Sequence, residues 1–331
     1  MASTMKAVEV SRAGGPDVLS EVARTIPTPG AGEVLIRVRA AGVNGHDLHH
    51  RRLGSHPVDA GETDLPGLEV AGEIAACGSG VTAWRPGEQV CALVRGGGYA
   101  EFCLAHARHC MPIPAGFTMV EAASLPETCF TVWSNVYIES GLKAGERFLM
   151  NGGSSGIGVT AIQIASALGS EVYATAGGPA KCAAVERLGA VRAIDYQQED
   201  FADVLPDLTA GHGIDVILEI VCGDYVARDI KVLALDGRLA VIGTLRGAMV
   251  EVDFAQMMRK RLKLTGSLLR PRSVDYKARV AAELLERVWP LYELRRIRPV
   301  IDSSYPLAEA HRAHARMESR AHTGKLVLTM D

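Results

Sequence analysis

The chain has 331 residues, a net charge of -3, 48% hydrophobic and 22% charged residues, a size that suits two medium domains with a core each. No basic run with interleaved aromatics appears, and the charge balance is near neutral, so neither a nucleic-acid groove nor an anionic membrane surface is expected as partner. No apolar run reaches a membrane span, and the first residues lack a signal-peptide layout. The seven scattered cysteines contain no CxxC pair, so they read as reduced thiols of a cytoplasmic protein.

In chain order, residues 1–126 read as a β-rich domain. Short alternating runs such as Glu33-Val34-Leu35-Ile36-Arg37-Val38 are set off by Pro/Gly turns. From 118 to 140 the pattern is helical and breaks at Pro126. Strand and helix then alternate over 127–268, with strands expected at 148–150, 171–176, 192–195, 215–220, 238–243 and 262–267. Such alternation specifies an α/β domain, a doubly wound parallel sheet covered on both faces. The segment 269–331 opens with a helix over 274–297 and closes on the strand-like Gly324-Lys325-Leu326-Val327-Leu328, which is expected to return to the first domain.

One stretch carries the chemistry. Phe148-Leu149-Met150 reads as a strand, Asn151-Gly152-Gly153-Ser154-Ser155-Gly156-Ile157-Gly158 as a tight turn, and the residues that follow as a helix. Glycines allow the backbone close to a pyrophosphate, and the helix N-terminus offers free N–H groups to it. A ligand-free strand-to-helix turn is the bland alternative. Placed after the first strand of an alternating domain, the turn reads as a dinucleotide site. The end of the next strand tells the adenine dinucleotides apart, because a carboxylate there accepts from a ribose 2′-hydroxyl and repels a 2′-phosphate. Here Thr175-Ala176 is followed by Gly177-Gly178-Pro179-Ala180-Lys181, with no acid. The expected cofactor is therefore NADPH, with Gly178 leaving room and Lys181 supplying charge. Lys181 alone would read as a solvated helix lysine. Tyr196 is either a phosphate contact or a surface tyrosine.

Gly14-Gly15-Pro16, Gly42-Val43-Asn44, Gly67-Leu68-Glu69-Val70-Ala71-Gly72, Leu188-Gly189-Ala190, Leu235-Asp236-Gly237-Arg238, Tyr305-Pro306-Leu307 and Gly324-Lys325-Leu326-Val327-Leu328 occur in this order. With them the chain resembles the zinc-independent quinone oxidoreductase branch of the medium-chain dehydrogenase/reductases over nearly its whole length. The resemblance implies a GroES-like catalytic domain, a Rossmann domain, a cleft between them, and a homodimer paired through Rossmann edge strands. It also implies cofactor contacts at Asn44, Thr131, Gly153, Ser154, Ser155, Gly156, Ile157, Gly178, Lys181, Tyr196, Gly243, Thr244, Leu269 and Lys325.

No metal is expected. Zinc-dependent relatives place a cysteine near Asn44 and a histidine before Glu69, where this chain has no cysteine and Leu68. A catalytic zinc needs three protein ligands. His46, His49, His50 and His56 cluster in sequence, but Arg51 and Arg52 beside them disfavour a cation. Without a metal, acceptors that take a hydride readily are favoured, and quinones come first. An ene-reductase acting on enones or enals, and an NADPH-binding sensor with little turnover, are the alternatives. The catalytic candidates are Asn44, beside the nicotinamide ribose, and His49 and His56, which stand where relatives often carry tyrosine. Each histidine is either a proton donor near neutral pH or an exposed loop residue.

Overall fold

A computed structural model describes residues 3–54 and 63–330. The described residues fall into two compact units. One is drawn from 1–130, 272–293 and 299–331, the other from 131–271 and 294–298.

The first unit starts with β1 (Thr4–Val10) and β2 (Leu19–Thr25), an antiparallel pair. β3 (Glu33–Val43) runs through Asn44 into α1 (Gly45–Leu53). β4 (Glu69–Cys77), β5 (Gln89–Leu93), β6 (Phe102–His106) and β7 (Cys110–Pro112) follow. Two short helices come next. α2 (Met119–Ala122) is opened by a capping box in which the Thr118 hydroxyl accepts from the Glu121 N–H, and α3 (Pro126–Val132) has Pro126 in its first turn, where no N–H is missed.

The second unit alternates β8 (Arg147–Met150), α4 (Gly156–Ala167), β9 (Glu171–Ala176), α5 (Pro179–Arg187), β10 (Arg192–Asp195), α6 (Phe201–Leu208), β11 (Ile214–Glu219), α7 (Tyr225–Val232), β12 (Leu233–Val241), α8 (Phe254–Lys260) and β13 (Lys263–Gly266). All six strands are parallel, in the order β10-β9-β8-β11-β12-β13. This is the doubly wound 3-2-1-4-5-6 arrangement of a Rossmann domain. Its central strands are apolar without alternation, because helices cover both faces. Phe148, Leu149, Met150, Val216, Ile217 and Leu218 are all fully buried. β12 begins five residues before the expected position. Asp236 takes a left-handed conformation (φ 61°), which lets the chain kink and rejoin the sheet at Arg238.

The chain then supplies α9 (Val274–Arg287) and α10 (Trp289–Glu293) to the first unit, two helices where the sequence pattern suggested one. Pro290 lacks the N–H that would continue the helix across Val288, so the break has a covalent cause. β14 (Ile301–Pro306), α11 (Ala310–Glu318) and β15 (Lys325–Thr329) complete the unit. β15 lies antiparallel to β3, with Leu326 opposite Val43, inside the sheet β14-β15-β3-β4-β5-β7. Val34, Ile36, Val43, Val70, Leu326 and Leu328 form the centre of its core.

A chain of buried polar groups crosses this core and ends on the residue that joins β3 to α1. Asp47 accepts the Asn44 N–H at 2.8 Å and the Gly67 N–H at 3.1 Å. Tyr99 Oη lies 3.3 Å from Asp47 Oδ2 and 3.0 Å from His314 Nε2, and His314 Nδ1 lies 3.4 Å from Arg51 Nη1. A guanidinium only donates, so Nδ1 accepts, Nε2 carries the hydrogen and donates to Tyr99, and the Tyr99 hydroxyl donates to Asp47. Arg51, 1% exposed, also donates to the Gly14 carbonyl at 3.1 Å and pairs with Glu318.

Burial pushes Asp47 up from 3.8 to about 6 against the pull of its two backbone donors, and burial beside Arg51 pushes His314 down from 6.5 to about 3. Between pH 3.8 and about 6 the folded chain keeps a proton on Asp47 that the unfolded chain has released, so this contribution to stability falls as pH rises. Ionising Asp47 in the fold costs on the order of 3 kcal/mol. His314 acts in the opposite sense. The unfolded chain takes up its proton below pH 6.5 and the folded chain only near 3, so its contribution falls as pH falls. Asp47→Asn is expected to leave the histidine slope unopposed, giving a variant that loses stability steeply as pH drops from about 6.5 towards 4. His314→Gln is expected to show the reverse trend. Urea midpoints measured across that range check both, and variants that keep the parent's pH dependence would contradict the network.

Candidate functional site

In the second unit the turn after β8 is built for close backbone approach. A Cβ on Gly158 would lie 2.4 Å from the Gly153 carbonyl oxygen and 2.5 Å from that of Gly152, so only glycine fits there. Gly152 has φ +83°, and a Cβ on Gly153 would lie 2.9 Å from Ala174 Cβ on β9. The Gly153 N–H donates to the Thr175 carbonyl at 2.8 Å, which ties the turn to that strand. Ser155 caps α4, its hydroxyl accepting the Gly158 N–H at 2.9 Å. Gly156 and Ile157 open the first turn of this twelve-residue helix, where N–H groups have no acceptor in the helix itself. The positive helix end and these amides suit an anion.

At the end of β9, Gly178 has φ +87° and caps α5, which starts with Pro179 and carries half-buried Lys181 in its first turn. The Tyr196 hydroxyl stands 2.5 Å from where a Gly177 Cβ would project, so Gly177 and Tyr196 share one patch, and Tyr196 is 48% exposed. A carboxylate overlooked in the sequence also sits here. Asp195 Oδ1 accepts the N–H of Gly178 at 2.9 Å and of Gln197 at 3.1 Å. It ends β10, not β9, and its position directly before Tyr196 was the available signal. Its oxygen is engaged by backbone donors, which brace the loop around Gly178. Gly243 follows β12 close to Ile220, with exposed Thr244 beside it, and Leu269 is half-buried. Thr131 is buried, its carbonyl accepting from Asn135 Nδ2 at 2.8 Å.

In the first unit Asn44 belongs to a buried triad. Lys325 Nζ donates to Glu69 Oε1 at 2.5 Å, to Asn44 Oδ1 at 2.6 Å and to the Val43 carbonyl at 3.1 Å, which uses all three of its hydrogens. Asn44 Nδ2 donates to Glu69 Oε1 at 3.0 Å, and the Glu127 N–H donates to Glu69 Oε2 at 2.9 Å. The amide orientation of Asn44 is thereby fixed, with its oxygen towards the ammonium and its nitrogen towards the carboxylate. Gly42 makes room, since a Cβ there would overlap the Glu69 carboxylate. Sequence reasoning quoted Glu69 in a motif without giving it a role; a charged residue at the head of an apolar strand was the signal.

His49 lies exposed on α1, whereas His46 and His50 meet edge to face at 6.4 Å between ring centroids. His56 lies outside the described residues. Among the described residues no group of three or more His, Cys, Asp or Glu is placed to hold a metal ion. Leu68, where zinc-dependent relatives carry histidine, is buried in the apolar interior.

A family model described as an alcohol dehydrogenase GroES-like domain matches residues 30–115, and one described as a zinc-binding dehydrogenase matches 188–328. The chain is 32% identical over 334 residues to the quinone oxidoreductase of Rattus norvegicus, covering 98% of each protein. It is similar to the solved structure of a mycobacterial protein complexed with NADPH, at 31% identity and a TM-score of 0.87 over 98% of this chain and 100% of that one. It is also similar to the CurK enoyl reductase, at 26% identity and a TM-score of 0.88 over 99% and 100%. With both family domains in order and a relative aligned from end to end, the chain belongs to the quinone oxidoreductase branch of the medium-chain dehydrogenase/reductases.

Proposed function

We propose that the chain is an NADPH-dependent, zinc-independent reductase of quinones. The observation that carries the cofactor assignment is the glycine turn opening on α4, followed at the end of β9 by a patch of Gly177, Gly178, Lys181 and Tyr196 without an acid from that strand. In this reading the turn at 153–157 holds the pyrophosphate through the amides at the start of α4, those of Gly156 and Ile157, since the Gly153 and Ser155 N–H groups are bonded to the Thr175 and Gly152 carbonyls, and Lys181 and Tyr196 take the 2′-phosphate. Thr131, Gly243, Thr244 and Leu269 line the rest of the cofactor's path, and Asn44 stands beside the nicotinamide ribose. Lys325 serves through Asn44, because its ammonium is committed to Asn44, Glu69 and Val43. NADPH, when bound, supplies a hydride.

The chain's own work at the acceptor is orientation, exclusion of water and donation to a developing oxyanion. Such an oxyanion needs a proton, and His49, exposed on α1, is the proposed donor. Quinones suit this arrangement because their reduction gives an aromatic product and needs no Lewis acid. Likeness to an enoyl reductase supports a second reading, reduction of an activated C=C bond by the same hydride geometry.

A homodimer is part of the proposal. β13 ends the parallel sheet with most of its residues exposed, and in the segment that leads into it Met249, Phe254 and Met258 are 94%, 69% and 72% exposed. An open strand edge and large exposed apolar side chains are each the kind of surface that a second copy would cover. No helix among the described residues is long and apolar enough to cross a membrane. The seven cysteines are all unbridged, which fits the cytoplasm.

Three outcomes are expected. Steady-state oxidation of NADPH proceeds with a quinone, persists after chelation of metals, and exceeds that with an enone; fast enone turnover without quinone turnover would favour the second reading. Lys181→Ala weakens NADPH binding about tenfold and leaves NADH nearly unchanged, whereas equal weakening of both would refute the 2′-phosphate assignment. The double substitution Phe254→Glu, Met258→Glu converts a dimer to a monomer in sedimentation velocity; an unchanged sedimentation coefficient would remove this face from the interface.

A further inference from the structure

Four polar side chains inside the second unit lie behind the phosphate turn and have no part in the reading above. Asn151, Thr175, Glu219 and Asp229 are each 0% exposed. Asn151 Nδ2 donates to Glu219 Oε2 at 2.6 Å and to Asp229 Oδ1 at 2.8 Å, so two carboxyl groups share one amide. Both cannot be ionised there, because like charges in a dry interior repel and no cation among the described residues is bonded to either. Their donor sets decide which keeps the charge. Glu219 Oε1 accepts the N–H of Val221 and, at 2.8 Å, that of Cys222, so Glu219 receives three N–H bonds. Asp229 receives one, and its Oδ2 is buried with no donor directed at it. Asp229 and Glu219 are hydrogen-bonded to one another, which two ionised carboxylates cannot be, so one proton lies between them.

Burial, with Glu219 beside it, pushes Asp229 well above the usual carboxylate range. The neighbouring charges do not alter this assignment. Arg228, on the same helix as Asp229, is turned onto the Phe201 and Tyr225 rings and paired with Asp224 at 2.6 Å and Asp200 at 3.5 Å. Tyr225 is neutral, pushed by burial up to about 12.

The pair has a directed connection to the turn. With both Asn151 hydrogens used on the carboxyls, its Oδ1 faces Thr175, whose hydroxyl donates to it at 3.1 Å. The same Thr175 oxygen accepts the Gly152 N–H at 3.1 Å. Donation therefore runs from Gly152 to Thr175 to Asn151 to the carboxyl pair, and every member has one possible orientation.

We propose that Glu219 and Asp229 hold one proton between them and, through Asn151 and Thr175, act as positioning residues for the turn at 152–158, an inference resting on the reading of that turn as a pyrophosphate cradle. Asp229→Asn reproduces the neutral carboxyl, with one acceptor for Asn151 and one donor for Glu219. Glu219→Gln puts an NH2 where only acceptors fit. The test is NADPH titration by fluorescence together with amide hydrogen exchange of the cofactor-free chain at Gly152 and Gly153.

Glu219→Gln is expected to weaken NADPH about tenfold or more and to speed exchange at the turn, because a buried donor loses its acceptor. Asp229→Asn is expected to hold both quantities within about threefold of the parent, as a like-for-like exchange of hydrogen bonds. Thr175→Val tests the same path without touching the carboxyls. It is expected to raise exchange at Gly152 and to weaken NADPH, with Thr175→Ser restoring both. Asp229→Asn as damaging as Glu219→Gln would overturn proton sharing. Loss of thermal stability in Glu219→Gln and Thr175→Val, with turn exchange and NADPH affinity unmoved, would overturn the positioning role. A parent chain that binds no NADPH would refute the cofactor reading, and the exchange comparison would still decide this one.

Discussion

The buried ion pair between Lys325 and Glu69 is the constraint on which the first unit's site depends. It joins residues 256 positions apart and fastens the last strand, β15, to β4 across β3, the strand that leads into Asn44. Taking both charges out of water is expensive, and the expense is offset only where the remaining donors and acceptors are satisfied. Here they are: the ammonium has three acceptors, and the carboxylate receives the ammonium, the Asn44 amide and the Glu127 N–H. Breaking such a pair from one side costs about 3–5 kcal/mol, so the arrangement resists piecemeal change. Asn44 inherits that rigidity, and the Asp47 chain fixes its backbone from the other side. A residue held by both its amide and its N–H is a preorganised one, with little freedom left to lose on binding.

The second unit solves a different problem with related means. Its parallel sheet buries both faces, so polar groups at strand ends must be satisfied internally or presented to a ligand. At the end of β8 both happen within a few residues. Asn151 turns inward to the carboxyl pair, while the glycines after it turn the backbone to the N-terminus of α4. The close approach of Gly158 to the Gly152 and Gly153 carbonyls keeps that helix end tight against the strand. The fold thus places a positive helix terminus beside closely packed glycines, with the carboxyl pair behind them at the far end of the Thr175 and Asn151 hydrogen bonds.

Much of this was legible in the sequence, for physical reasons that differ by element. The strands at β8, β9 and β10 stood out because a doubly covered sheet demands short apolar runs bounded by turn residues. The glycine turn between β8 and α4 was legible because glycine spacing, strand and helix coincide there. Asp236 shows where local reading stops: its left-handed conformation lies inside β12, which starts at Leu233, five residues before the strand expected from 238. Pro290 carried its own warning, and the helix break is where the missing N–H requires it. The polar interior was the least legible part. Nothing local pairs Lys325 with Glu69, His314 with Tyr99, or Glu219 with Asp229, because each partnership is made by strand order and helix packing. Buried charges inside apolar runs mark that such partners exist without naming them.

The central claim is that the second unit is an NADPH site of a reductase, and equilibrium binding tests it most directly. Isothermal titration of the purified full chain with NADPH and, separately, NADH measures the affinity and stoichiometry of each. One NADPH per chain, bound about tenfold or more tighter than NADH, is the result this account requires, since a satisfied phosphate contact is worth that much. Equal affinities, or no binding of either cofactor, would contradict it.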